Sequence, residues 1–173
     1  MRMIYCPLCA TRLIKTAVDD GAAICGDKCG FVDWDPPVSV VAGLVQLREN
    51  FVLARNRDWP NGCFGLVTGF LQSNETPEHA MKRELREELA LQAGAIKFLG
   101  HHVFSAQNQL VLAYWIFGFG NLELSDEILE VRMLSRHELS RFDFGEFELV
   151  SRIVQQYLAS NAKRDRSARL RSK

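Results

Sequence analysis

Apolar residues along this chain fall into short bursts separated by turn formers, and only two stretches repeat at helical spacing. Val38-Ser39-Val40-Val41-Ala42-Gly43-Leu44-Val45 is a near-continuous apolar run of strand length, which predicts a buried strand. Phe51 to Ala54 follows across Arg48-Glu49-Asn50 and reads as its hairpin partner. Phe64 to Val67 predicts another short strand, and Lys97 to Val103 and Val111 to Phe119 add more β signal. Helical spacing appears at Met81, Leu85 and Leu89, preceded by Thr76 as N-cap and Pro77 at the first helical position. It appears again at Phe147, Val150, Val154, Tyr157 and Leu158. Between the first cysteines and the first long strand, Asp33-Trp34-Asp35-Pro36-Pro37 reads as a linker, because two prolines block regular structure. Strand and helix signals are thus both present along the chain.

The length, 173 residues, suits one domain plus a small module. Ordinary composition, 47% hydrophobic and 24% charged, excludes wholesale disorder, collagen and coiled coil. The longest apolar run, Leu110 to Phe119, is too short to span a bilayer, and the opening residues lack the apolar core of a leader, so we expect a cytoplasmic protein. Net charge is zero but unevenly spread. The last eleven residues hold six basic groups against Asp165 alone, a net +5, leaving −5 on the other 162. We read 161–173 as a basic, flexible tail, with RNA, phosphate or partner contact as its functional alternative.

Four of the five cysteines form two close pairs. Cys6-Pro-Leu-Cys9 is followed, after fifteen intervening residues, by Cys25-Gly-Asp-Lys-Cys29. That spacing reads as a tetrahedral, structural zinc site, since metal replaces the core that so small a module cannot build. Cys63 stands alone as a loop thiol, and His101-His102 lacks a third ligand at useful spacing.

The stretch richest in chemistry runs from Gly69 to Leu91. On a helix beginning at Pro77, Glu84, Glu87 and Glu88 fall within an arc of about 100° beside the apolar stripe. Three half-sheltered carboxylates there repel one another and resist ionising, which a divalent cation relieves. Hard oxygen donors without Cys or His select magnesium or manganese. Glu75 precedes the helix, and Arg83 is placed to orient Glu87.

The order Gly69, Glu75, Arg83-Glu84, Glu87-Glu88 and a final aliphatic at Leu91 resembles the signature box of the Nudix hydrolases, enzymes that hydrolyse nucleoside diphosphates linked to another moiety. With the four-cysteine module before it, the chain is similar to the zinc-ribbon subgroup that includes the NADH pyrophosphatases. The resemblance implies an α/β/α sandwich with a mixed sheet over 35–160, preceded by a zinc ribbon over 1–34. It implies metal binding by Glu84, Glu87 and Glu88, with Gly69 and Glu75 supporting and Arg83 orienting a carboxylate. The implied reaction is metal-dependent cleavage of NADH, ADP-ribose, FAD or a related nucleotide into two phosphomonoesters. Glu127 is a candidate late acidic ligand, while Trp59 and Phe64 are candidates for base stacking, with Trp34 and Trp115 as alternatives. Gln107 and Gln109 stand where the NADH pyrophosphatases carry a substrate motif, whose Trp and prolines are missing here. A homodimer is within the subgroup's habits. The rival reading is a catalytically silent nucleotide sensor or nucleic-acid-binding module.

Two box positions depart from the pattern. Asn74 replaces a common Gly and tolerates left-handed geometry. Ala90 replaces the final Gly, from which we expect the helix to run on and exit at Gly94.

Overall fold

The computed structural model describes residues 3–15, 22–27 and 29–171, with side chains of the last helix described as far as residue 161. The basic-tail expectation therefore falls on side chains that lie, from residue 162 on, outside the described ones. The chain divides into two compact units, Met1–Pro37 and Val38–Lys173.

The first unit is a three-stranded antiparallel sheet of β1 (Leu13–Lys15), β2 (Ala23–Cys25) and β3 (Val32–Asp33). Its strands are too short to enclose a core, and its buried apolar residues are only cysteines and alanines among the described ones. Tight turns shape the cysteine loops: Ala10 N–H bonds Cys6 O at 2.9 Å, and Ala10 and Gly30 take positive φ.

The second unit holds β4 (Val38–Leu47), β5 (Asn50–Asn56), β6 (Val67–Phe70), α1 (Pro77–Leu89), β7 (Gln92–Phe104), β8 (Gln109–Phe119), β9 (Ile128–Leu134), α2 (Arg136–Arg141) and α3 (Glu148–Arg171). The sheet runs β7-β8-β4-β5-β9, with β6 beside the first half of β4. Strands β4 and β8 are parallel and the other pairs antiparallel, so the sheet is mixed. Alternation along β4 feeds two cores. Val41 and Val45 pack with Met81, Leu85 and Leu89 of α1, while Val40, Ala42 and Leu44 pack with Ile153, Val154 and Tyr157 of α3. Helices on both faces make the expected α/β/α sandwich.

Local expectations fared unevenly. The β4–β5 hairpin forms, with Arg48 at φ 57 in the turn. Of Phe64 to Val67, only Gly65 bridges to Ala54, and regular pairing begins at Val67, where β4 offers Gly43 as partner. β9 and α2 were not anticipated. Glu130 and Arg132 interrupt the apolar pattern of β9, and α2 is short, though its Ser135–Glu138 capping box is a local signal.

The exit of α1 needs correction. The helix ends at Leu89, with Ala90 left-handed at φ 54, and Gly94 lies inside β7. Turning there lets Leu91 bury completely, its N–H reaching back to Leu85 O at 3.3 Å. That burial outweighs the strain of about 1 kcal/mol for a left-handed Ala.

Candidate active site

Gly69 lies opposite Val41 in the sheet and faces α1. A Cβ there would come within 1.8 Å of Glu84 Oε1, so the carboxylate occupies the space that glycine leaves open. The chain then turns through Asn74, left-handed at φ 62 as anticipated, and starts α1 with Thr76 accepting from the His79 N–H at 3.3 Å.

Arg83 is the hub of the cluster. Its Nε and Nη2 donate to Glu75 Oε1 and Oε2 at 2.9 and 3.0 Å, a two-point grip. Its Nη1 donates to Glu84 Oε1 at 2.7 Å and to Glu87 Oε2 at 3.0 Å. Nη2 also donates to the Phe70 carbonyl at 3.0 Å, tying helix to strand. The Gln72 N–H bonds Glu75 Oε2 at 3.1 Å and closes the loop. Arg83 therefore reaches two of the three helix acids.

Glu88 is the one left out. It is 6% exposed, and among the described residues its carboxylate has no hydrogen-bond or ion-pair partner. Burial, then the charges of Glu84, Glu127 and Glu87, push it up to about 8. Burial also raises Glu84, against the pull of Arg83, while the Arg83 hydrogen bond lowers Glu75. The cluster thus carries more acid than its one arginine neutralises. An all-oxygen donor set of this kind suits magnesium or manganese.

Glu127 reaches the same field from another segment. The Glu123 and Ser125 N–H groups bond the Leu89 and Glu88 carbonyls at 3.1 and 3.0 Å, fastening the stretch before β9 to the end of α1. Glu127 is exposed, and its charge is felt by both Glu84 and Glu88.

The proposed base contacts divide. Phe64 is corrected: it is fully buried, with Arg132 at 4.2 Å over its ring and Phe142 against its edge, so it offers no face for stacking. Trp59 is half-buried, edge-on to Phe147 at 4.8 Å and pressed over Gly65. Trp115 donates to Gln46 Oε1 at 3.0 Å and stacks on Tyr157. Gln107 and Gln109 sit at the β7–β8 turn, with no hydrogen bond or ion pair joining them to the carboxylates among the described residues. Sequence reasoning missed Phe70. Its carbonyl is held by Arg83 and the residue is 59% exposed. An aromatic directly after Gly69 was the available signal.

In the first unit, the sulfurs of Cys6, Cys9, Cys25 and Cys29 all lie within 4.8 Å of one another. Sγ–Sγ separations are 3.3 Å for Cys9–Cys25, 3.6 Å for Cys6–Cys29 and 3.8 Å for Cys9–Cys29. Four sulfurs at 2.3 Å from a shared tetrahedral centre would lie about 3.8 Å apart, so the set fits zinc in size and chemistry. Hydrogen bonds from Thr11, backbone first, lower Cys9 to about 6, whereas burial pushes Cys25 up to about 12. All five cysteines are free thiols.

The NUDIX domain model matches residues 36–153, and the chain belongs to the NUDIX family. Among curated relatives, the NAD-capped RNA hydrolase NudC of Mycobacterium tuberculosis is 32% identical over 94 residues, covering 53% of this chain and 30% of that protein. NudC of Pseudomonas putida is 25% identical over 118 residues, covering 67% and 42%. The chain thus spans less than half the length of these relatives. Among solved structures, a NUDIX hydrolase from Nitrosomonas europaea superposes with a TM-score of 0.76 at 20% identity, covering 93% of each chain. The NUDIX domain of Shewanella oneidensis NrtR, in a cocrystal structure with ADP ribose, gives a TM-score of 0.59 at 15% identity, covering 70% of this chain and 86% of that one. At these identities the structural matches establish the fold. No helix among the described residues is long and apolar enough to cross a membrane.

Proposed function

We propose that this protein hydrolyses the pyrophosphate bond of a nucleoside diphosphate linked to another moiety, of the NADH, ADP-ribose, FAD or NAD-capped RNA type, with magnesium or manganese. The observation that carries the reading is the electrostatic imbalance on α1: Glu88 is buried and unpartnered beside Glu84, while Arg83 is spent on Glu75, Glu84 and Glu87. A cation held by Glu84, Glu87 and Glu88, with Glu127 as a further acid, would resolve that imbalance.

Bound there, the metal would neutralise pyrophosphate oxygens and supply a water of lowered pKa. The chain's own residues do the remaining work. Arg83 fixes the Glu84 and Glu87 carboxylates and links them to β6 through the Phe70 carbonyl. Gly69 leaves room for Glu84 against the strand. A carboxylate of the cluster takes the proton of the attacking water, and the group titrates as a unit. Exposed Phe70 offers its ring to the base or nicotinamide of the substrate. Two phosphomonoesters leave. In the first unit, the four cysteines hold a structural zinc with no open position for substrate.

The test is product release from NADH, NAD, ADP-ribose, FAD, diadenosine polyphosphates, nucleoside triphosphates and NAD-capped RNA, with magnesium or manganese, beside a Glu87→Gln control. Metal-dependent release lost in the control supports the reading. Folded protein that turns over none of them overturns it in favour of a sensor.

A further inference from the structure

Asn61 and Gly62 form the centre of an exposed turn between β5 and β6. The Cys63 N–H bonds the Pro60 carbonyl at 3.2 Å and closes the turn around them. Gly62 has φ +82, and a Cβ built on it would meet nothing within 4 Å. Its N–H makes no hydrogen bond among the described residues. The Asn61 side-chain oxygen accepts from Arg55 Nη2. That guanidinium is poorly neutralised: its side chain is 12% exposed, its Nε has no partner, and its acid, Glu130, stands 3.8 Å away and half exposed.

We propose that Asn61–Gly62 is a self-modification site at which the Asn61 amide becomes a carboxylate. The free backbone nitrogen of Gly62 attacks the Asn61 side-chain carbonyl carbon and forms a five-membered imide. The side-chain nitrogen leaves as ammonia, carrying away the proton that Gly62 gives up through solvent. Water then opens the imide at either carbonyl, leaving aspartate or isoaspartate at position 61. Three features favour the step. Gly62 has no side chain to obstruct the approach of its nitrogen. That nitrogen need not break a hydrogen bond first. The Arg55 guanidinium lies on the carbonyl oxygen where negative charge develops during attack. The product carboxylate then faces the same guanidinium as a charge-assisted partner. No other asparagine of the chain combines these features: Asn50, Asn56, Asn74, Asn108, Asn121 and Asn161 all precede residues with side chains.

The full chain should be incubated at mildly alkaline pH and mapped by peptide mass spectrometry over days, with isoaspartate detected by enzymatic methylation. Asn61 is expected to convert ahead of every other asparagine, releasing ammonia. Replacing Arg55 by Gln should slow conversion about tenfold, as expected for loss of a hydrogen bond to a charged donor. Gly62→Ala, which leaves Arg55 in place, should slow it further and keeps the test open if the Arg55 variant fails to fold. Conversion of Asn61 no faster than the other asparagines, or unchanged by Gly62→Ala, would overturn the proposal. Neither readout depends on turnover, so the result is separate from the fate of the hydrolase reading.

Discussion

Arg83 grips Glu75 with two parallel hydrogen bonds, Nε to Oε1 at 2.9 Å and Nη2 to Oε2 at 3.0 Å, across eight positions of sequence. The loop leaving β6 is thereby closed onto the helix that bears the acids. The same guanidinium holds Glu84 and Glu87, so one side chain sets the position of three carboxylates.

Arg83→Lys should expose this dependence. Lysine keeps the charge but cannot make the planar two-point contact while also reaching Glu84, Glu87 and the Phe70 carbonyl. Apparent magnesium affinity should fall about tenfold to hundredfold, as for loss of an orienting partner. Isothermal titration on folded protein measures it, and an unchanged affinity would remove Arg83 from the role given it here.

Glu88 makes the stability of the metal-free protein fall as pH rises from mildly acidic to neutral. Its folded pKa, about 8, is above the unfolded carboxylate value, so between about pH 4.5 and 8 the folded state binds the extra proton. Stability should fall as pH rises through that window, by up to about 1.4 kcal/mol per pH unit. Glu88→Gln should flatten the dependence. Magnesium should bind more tightly toward pH 8, releasing a proton as it does. Urea unfolding across pH, with chelator and with magnesium, gives both slopes.

Phe70→Ala separates recognition from chemistry. The Phe70 group that Arg83 holds is the main-chain carbonyl, which the variant keeps, so the carboxylate cluster should survive the loss of the ring. If the proposed nucleotide substrate stacks on it, removing that face should raise KM about tenfold or more. A fall confined to kcat would place Phe70 in the reaction itself.

Zinc should be found at one per chain by elemental analysis of the purified protein. Stripping it with a chelator should unfold Met1–Pro37 while leaving the NUDIX sheet folded, because only the first unit lacks an apolar core. Hydrogen exchange resolves the two units, and protection of β1–β3 that survives metal removal would refute the zinc reading.

Ala90→Gly should stabilise the protein by about 1 kcal/mol by relieving the left-handed alanine, less the extra entropy of an unfolded glycine. Denaturant midpoints decide it.

Much of the architecture was legible because its signals are local. The β4 run, the β4–β5 hairpin, the Thr76–Pro77 helix start and the cysteine spacing each lie within a few residues of one another. The Glu75–Arg83–Glu84–Glu87 cluster was legible for the same reason, since loop and helix are contiguous. What escaped depends on distant partners. β9 is recognisable only beside β5, because Glu130 and Arg132 mask its pattern. Phe64 looked available until its burial against Phe142 and Arg132 was seen. The helix exit at Ala90 failed for another reason: intrinsic preference was weighed, and burial of Leu91 was not. The Phe70 carbonyl, as main chain, has no side-chain signature to read.

Central strand β4 takes its parallel neighbour β8 from about 70 residues downstream, Val38 lying opposite Gln109. During synthesis, β4, β5, β6 and α1 all emerge before that neighbour exists. One edge of the most apolar strand must then wait unpaired, a slow and aggregation-prone interval. The carboxylate helix is too short to be stable alone, and the sheet it packs on closes only when β8 arrives. Yield of active enzyme should therefore be limited by folding on the ribosome and by chaperone capacity before it is limited by the stability of the finished fold.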